Sequence, residues 1–371
     1  MIMERIAYEL NLDPIAVRLR NLDKKNYNDV AKMFDALKNN SDYEKRRYAV
    51  DKFNKANRWR KRGLRFTFMK WSATVSCIMN VIMSVYIDGS VAITHGGVEM
   101  GQGINTKAIQ ICAYLLNIPI AKIHTKSYKT STNPNNSYTA ASVTSQSVGI
   151  GVQRCCEELL KRLEPIKAQM KNPLWEQLIM EAFKLGINLQ TNSFVGFDDT
   201  NSEHIVYGVT LAEVEIDILT GQWEILRVDL MEDVGRSVSP FIDIGQVEGA
   251  FIMGVGYWTT EELVYDQCTG ELLTDRSLNY HVPQGTDIPQ DFRIYLRKKS
   301  YNSDLVFGSK VVGEPPNCMG VAVPIAMREA IASARLDGGI PTTKWFQIDG
   351  PYTVEKICLA CKTNIEDMKY F

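Results

Sequence analysis

Residues 207–235 read YGVTLAEVEIDILTGQWEILRVDLMEDVG, alternating on both sides of Thr220-Gly221. A period of two around a turn pair predicts one long antiparallel β-hairpin. A second hairpin is expected from Val81 to Thr94 around Asp88-Gly89, and a third turning at Cys268-Thr269-Gly270. Helical spacing lies between them. Ile6, Leu10, Ile15, Val17 and Leu19 mark the start, with Asp13-Pro14 as a helix-start signal. Further helices are expected at Tyr43 to Lys55, after Gly103, from the Ser142 loop to about Leu163, and at Met319 to Arg335. Phe241 to Trp258 reads as a buried helix, with apolar residues at helical spacing and small residues between them. Hairpins and helices alternate without a βαβ rhythm, so the fold class is α+β with two mixed helix/antiparallel-sheet subdomains. The expected division is a helical lead-in over 1–63, a first subdomain over 64–205 and a second over 206–371. The polar run Asn192 to His204 is the expected linker.

Formal charge over the 371 residues is −1, which argues against nucleic acid as a partner. The charge is uneven: residues 1–70 hold 18 Lys/Arg against 9 Asp/Glu, and the remainder is correspondingly acidic. The basic cluster Asn57 to Arg65 is expected to be a solvated face leading into a strand rather than an anion-binding strip, since no aromatic or glycine platform accompanies it. No stretch reaches the roughly 18 uninterrupted apolar residues of a membrane helix. The longest, Ala73 to Ile87, is broken by Ser76, Asn80 and Ser84 and reads as buried strand. The acidic start MIMERIAYELNLDP does not suit a secretory signal, and eight cysteines are too sparse for a disulfide scaffold. A cytoplasmic protein with reduced thiols is expected.

Several chemistries find no motif: there is no phosphate-binding G-x-x-x-x-G-K-[ST], no G-x-G-x-x-G, no H-E-x-x-H and no G-x-S-x-G. Cys358 and Cys361 form a lone C-x-x-C, expected as two small hydrophobes on a helix. Three loops remain. His95 to Gly103, HGGVEMGQG, sets four glycines before a helix, where main-chain N–H groups can meet an anionic or heteroaromatic ligand; Gln102 adds an amide able to pair with a ring edge. Tyr138 to Ser145, YTAASVTS, leads its hydroxyls into a second helix, as N-caps or as a second ligand-facing terminus. Val311 to Pro316, VVGEPP, places Glu314 before two prolines, on what the pre-proline restriction predicts to be a rigid, extended peg. Such a carboxylate is either a general base in fixed geometry or a solvated surface turn.

HGGVEMGQGINTK, TAASVT, DIGQVEGAF and KVVGEPP occur in that order, and this set resembles the molybdopterin-binding part of the xanthine dehydrogenase/aldehyde oxidase family. FNKANRWRKRGL and FQIDGPYTVEKI resemble the same family, and within it the chain is most similar to an insect-type aldehyde oxidase. The resemblance implies a molybdenum–molybdopterin cofactor and hydroxylation of aldehydes or N-heteroaromatic rings with water as oxygen source. It implies Glu314 as the base that deprotonates the metal's hydroxyl group. Met100, Gly101, Gln102, Ala141, Ser142, Val143, Thr144 and Gln246 are then cofactor contacts, with Ala141 and Glu314 nearest the molybdenum. Full-length members also carry two [2Fe–2S] clusters and FAD in domains not found in this chain, and a homodimer is expected for them. The stretch Met69 to Met83 departs from the xanthine-oxidising members, with Trp71 in the place of their purine-stacking aromatic, which favours aldehydes over purines. A xanthine dehydrogenase-like purine hydroxylase and a catalytically silent remnant are the alternatives.

Overall fold

The computed structural model describes residues 1–24, 27–73, 77–127, 129–200, 204–300, 305–363 and 368. Four helices open the chain: α1 (Ile2–Glu9), α2 (Pro14–Arg20), α3 (Tyr27–Asn40) and α4 (Tyr43–Ala56). As expected, Asp13 starts α2: its Oδ1 accepts from Ile15 N at 3.1 Å, with Pro14 in the first turn. Next come β1 (Arg60–Ala73), β2 (Met79–Val85), β3 (Val91–His95), α5 (Ile104–Leu116), β4 (Ile123–Thr125) and α6 (Thr144–Gln169). The second half holds α7 (Trp175–Lys184), β5 (Gln190–Val195), β6 (His204–Asp217), β7 (Trp223–Glu232) and α8 (Pro240–Thr259). It ends with β8 (Asp291–Leu296), α9 (Pro315–Met319), α10 (Ala322–Asp337) and α11 (Val354–Cys361).

Two sheets organise the described residues, with strand orders β1-β6-β7-β8 and β4-β3-β2-β5. The long hairpin is β6 and β7, antiparallel with a bulge at Glu213/Val214, and the second hairpin is β2 and β3. Each sheet also carries one parallel pair, β7 with β8 and β3 with β4, so both are mixed rather than purely antiparallel. The third hairpin shrinks to a turn closed by a single bridge, Tyr265 with Leu272.

The first sheet is covered on both faces. From β6, Tyr207, Val209 and Leu211 pack under α3 and α4, while Val206, Ala212, Val214 and Ile216 belong to the main core shared with α10. Burial on both faces removes the polar face that strict alternation implies; at 213 and 215 it is kept by ion-paired glutamates. These pairs also account for the basic cluster, which is neither an anion strip nor a solvated face. Arg60 and Arg62 reach Glu215 at 2.5 and 2.7 Å, and Lys61, fully buried, reaches Asp337 at 2.5 Å. The positive first 70 residues are thus partly neutralised by carboxylates supplied far along the chain.

Other expectations change. The first expected boundary, at 63/64, falls inside β1, which pairs with β6 from Arg60↔Asp217 to Ala73↔His204. The expected linker begins as strand: β5 pairs with β2 through Asn80↔Phe194 and Val81↔Ser193, and residues 201–203 lie outside the described residues. Its alternating burial shows why, since Thr191, Ser193 and Val195 face the core. Ala73 to Ile87 is not one strand: it spans the end of β1, undescribed residues 74–76, and β2. The helix expected from about Met319 to Arg335 is α10, which begins at Ala322 after the separate short α9, and α8 is buried on one side only, with Phe241 92% exposed. Cys361 is buried on α11, and Cys358 Sγ lies 3.4 Å from Leu219 O.

In the second sheet, Met79, Val81, Met83 and Val85 of β2 point inward against α6. A Cβ on Gly151 would stand 2.4 Å from a Val81 methyl, so glycine there sets the helix–sheet distance. Cys155 and Cys156 are buried at this contact, and burial pushes the Cys155 thiol up to about 11.

Candidate functional site

The three loops singled out in the sequence and the first half of α8 meet around a cavity of about 350 Å³. The first loop is closed on itself. Gln102 Oε1 accepts from Met100 N at 2.7 Å and its Nε2 donates to Val98 O at 2.7 Å. Glu99 Oε1 accepts from Gly101 N and Gly103 N, and its Oε2 accepts from Asn105 N at 3.0 Å. The carboxylate of Glu99 therefore caps α5 and takes the N–H groups that the sequence left open to an anion. The Gln102 amide likewise spends one donor and one acceptor on holding its own loop.

Val98 N donates to Thr139 Oγ1 at 2.9 Å, tying this loop to the second. The second loop is stitched to β2: Asn80 N donates to Asn136 Oδ1 at 2.7 Å, and Ile78 N donates to Ser137 Oγ at 3.0 Å. It ends in two successive non-glycine residues in left-handed backbone, Ala141 (φ 56°) and Ser142 (φ 55°). Such residues cost roughly 1–3 kcal/mol each and persist where the surroundings over-determine them, often at functional sites.

The third loop departs from its expected shape. Glu314 has φ −89° and ψ −35°, which is helical, and it is the N-cap of α9 rather than an extended peg. Pro315 and Pro316 occupy the first turn, where a missing N–H costs nothing, and Asn317 N donates to Glu314 O at 3.1 Å. Helix initiation here outweighs the pre-proline preference for extended backbone. The Glu314 side chain lines the cavity half-buried, with no ion pair among the described residues. Upstream, Lys310 Nζ meets Asp233 at 2.9 Å, Arg297 completes the pair at 3.0 Å, and Val311 N donates to His204 Nε2 at 3.3 Å. Buried ion pairs thus fix the loop's base.

Of the residues singled out, Met100, Gln102, Ala141, Ser142, Thr144, Gln246 and Glu314 line the cavity. Two do not. Gly101 is exposed at φ 99° with nothing within 4 Å of a Cβ position, and Val143 is buried behind the wall. The sequence reading did not single out Lys107, Asp243 and Asn317, which also line it. Lys107 Nζ pairs with Asp243 at 2.7 Å, and Ser237 Oγ donates to the other oxygen of Asp243 at 2.6 Å. Asp243 sits three residues before Gln246, on the same helical face, which was the signal available.

A molybdopterin group can be tested against these residues. A Cβ on Gly313 would stand 3.0 Å from Ser142 Oγ and 3.3 Å from Gln246 Oε1, so the absent side chain leaves a cradle where two loops and α8 converge. Gln146 Oε1 and Asn317 Oδ1 are buried on the same wall without a donor, and a pterin edge carries amino and ring N–H donors that suit them. Among the described residues no group of three or more His, Cys, Asp or Glu gathers to hold a bare metal ion, so a metal here would arrive with ligands of its own. The residues fit the group.

The family model described as the molybdopterin cofactor-binding domain matches residues 36–289. Xanthine dehydrogenase/oxidase of Gallus gallus is 40% identical over 99% of this chain, and aldehyde oxidase 1 of Cavia porcellus is 37% identical over 91%. The chain spans 28% and 26% of those relatives' lengths. Reconstituted CO dehydrogenase from Oligotropha carboxidovorans shares the fold, with a TM-score of 0.82 at 18% identity over 96% of this chain and half of that one. This chain belongs to the molybdopterin cofactor-binding family that includes the xanthine dehydrogenases and aldehyde oxidases.

Proposed function

We propose that this chain is the cofactor-holding part of a molybdenum hydroxylase that oxidises aldehydes to carboxylic acids with water as the oxygen source. The observation that carries this reading is the convergence at Gly313, where residues more than 60 positions apart, Ser142, Gln246 and Gly313, leave a shared cradle. Met100, Gln102, Ala141, Ser142, Thr144 and Gln246 would hold the cofactor, with Gly101 and Val143 supporting the two loops from outside and behind. When bound, the group supplies a two-electron acceptor and the oxygen drawn from water. Glu314 is the proton acceptor: its carboxylate faces the cavity, and no cation among the described residues competes for it. Helix initiation at Pro315 and the Asn317 N to Glu314 O hydrogen bond fix its backbone, so little reorganisation is needed when the proton moves. Lys107 and Asp243 neutralise each other at the floor of the cavity, keeping a net charge away from the substrate's side.

Aldehydes are favoured over purines by the stretch Met69 to Met83, which departs from the pattern of the xanthine-oxidising members and carries a half-buried Trp71. Its residues 74–76 lie outside the described ones. Purine hydroxylation is the second reading, favoured by the 40% identity to a xanthine dehydrogenase against 37% to an aldehyde oxidase. Electrons would leave through iron–sulfur and flavin domains of a longer, homodimeric, cytoplasmic protein. Elemental analysis for molybdenum on the full-length protein tests cofactor binding, and a metal-free product would support the silent remnant instead. Glu314→Gln in that protein should abolish turnover of benzaldehyde while leaving molybdenum content unchanged. A variant that keeps wild-type kcat would remove Glu314 from the role of base.

A further inference from the structure

Beside the cofactor cavity, and sharing Ile111 and Val238 with it, lies a second cavity of about 420 Å³ between α5 and the loops before α8 and α9. We propose that it is a binding site for small aromatic carboxylates that carry a hydrogen-bond donor. The assignment does not rest on the molybdenum reading.

Three features of its wall select that chemistry. Tyr114 and Phe307 meet edge to face at 5.3 Å, giving a two-ring surface suited to a third ring. Arg236 is exposed at the rim with no carboxylate in ion-pair range among the described residues, a free fork for a carboxylate. Gln110 Oε1 is buried in the wall without a donor, an acceptor that a ligand hydroxyl or N–H would satisfy. Such a volume suits a small molecule.

The cavity is also built rather than incidental. Phe307 sits in left-handed backbone (φ 54°, ψ 18°), a costly conformation for a bulky residue. Two interactions hold it there: Arg236 N donates to Gly308 O at 2.8 Å, and Gly235 bridges Ser309. The same short ladder therefore places Arg236 and Phe307 together on the lining of this cavity. An extended Phe307 would turn its ring out of contact with Tyr114, so the strain is what forms the wall.

The test is titration of the purified chain with 4-hydroxybenzoate, followed by calorimetry and by ligand-observed NMR. One-to-one saturable binding is expected. Arg236→Gln should weaken it at least about tenfold, since the exposed side chain contributes nothing to folding that the variant would lose. Phe307→Asn, which tolerates the same backbone, should weaken it by a comparable factor. 4-Hydroxybenzyl alcohol, with the same ring and hydroxyl but no carboxylate, should bind at least about tenfold more weakly than the acid. Gln246→Ala, in the neighbouring cavity, should leave the affinity unchanged. No saturable binding at millimolar ligand to chain that circular dichroism shows to be folded would overturn the proposal. So would equal affinity for the alcohol, or loss of binding through Gln246→Ala with Arg236→Gln unaffected.

Discussion

Replacing Glu232 with glutamine should raise stability relative to the wild type by an amount that grows as pH rises, although the substitution adds no contact. Glu232 ends β7 fully buried, and neither carboxyl oxygen has a partner. Burial and the nearby Asp243 and Asp233 push its carboxyl well above the ordinary 4.5. The cations close by are engaged: Lys107 with Asp243, and Lys310 and Arg297 with Asp233. A raised carboxyl keeps its proton in the folded state and loses it in the unfolded one. The stability it allows is therefore complete below the unfolded value and falls as pH climbs towards the folded value. While the carboxyl is protonated in the fold and ionised in the unfolded chain, one proton of difference is worth about 1.4 kcal/mol per pH unit, and this sets the upper limit on the slope with which wild-type stability should fall as pH rises. Glutamine cannot ionise, so the variant lacks that slope. Any constant offset from its buried amide cancels when the difference is followed against pH. Urea unfolding of both proteins at several pH values between 5 and 7 measures it. A stability difference independent of pH would mean that Glu232 is ionised in the fold, and the reasoning would fail.

Lys310→Met should cost about 1.5–3 kcal/mol in the same assay, because buried Asp233 loses one charge-assisted hydrogen bond while keeping Arg297 at 3.0 Å. Gly103→Val should lower the melting temperature rather than selectively empty the cavity. Gly103 has φ 73° and its Cβ would meet Ile242 Cδ1 at 2.5 Å, while the residue does not line the cavity. Gly313→Val should do the reverse, sharply reducing molybdenum content in the full-length protein at little cost in folding, since its Cβ would enter the cradle between Ser142 and Gln246. Equal melting losses for the two variants would argue against this division.

What the sequence determined by itself is what depends on neighbours along the chain. The Thr220-Gly221 and Asp88-Gly89 hairpins, the Asp13 cap and most helices were legible because turn chemistry, capping and side-chain period are local. The four spaced motifs were legible too, since the loops that form the cavity keep their order and composition. Tertiary structure decided the rest, wherever a distant group competed for the same atom or face. The Asn57 to Arg65 cluster looked solvated until Glu213, Glu215 and Asp337 came to meet it. The polar strand β5 looked like a linker because only pairing with β2 buries alternate positions of it. Gln102 and the start of α5 looked available to a ligand, yet Val98 and Glu99 had already engaged them. Glu314 looked extended because its own proline says so; the helix that it caps draws its hydrogen bonds and packing from the rest of the fold.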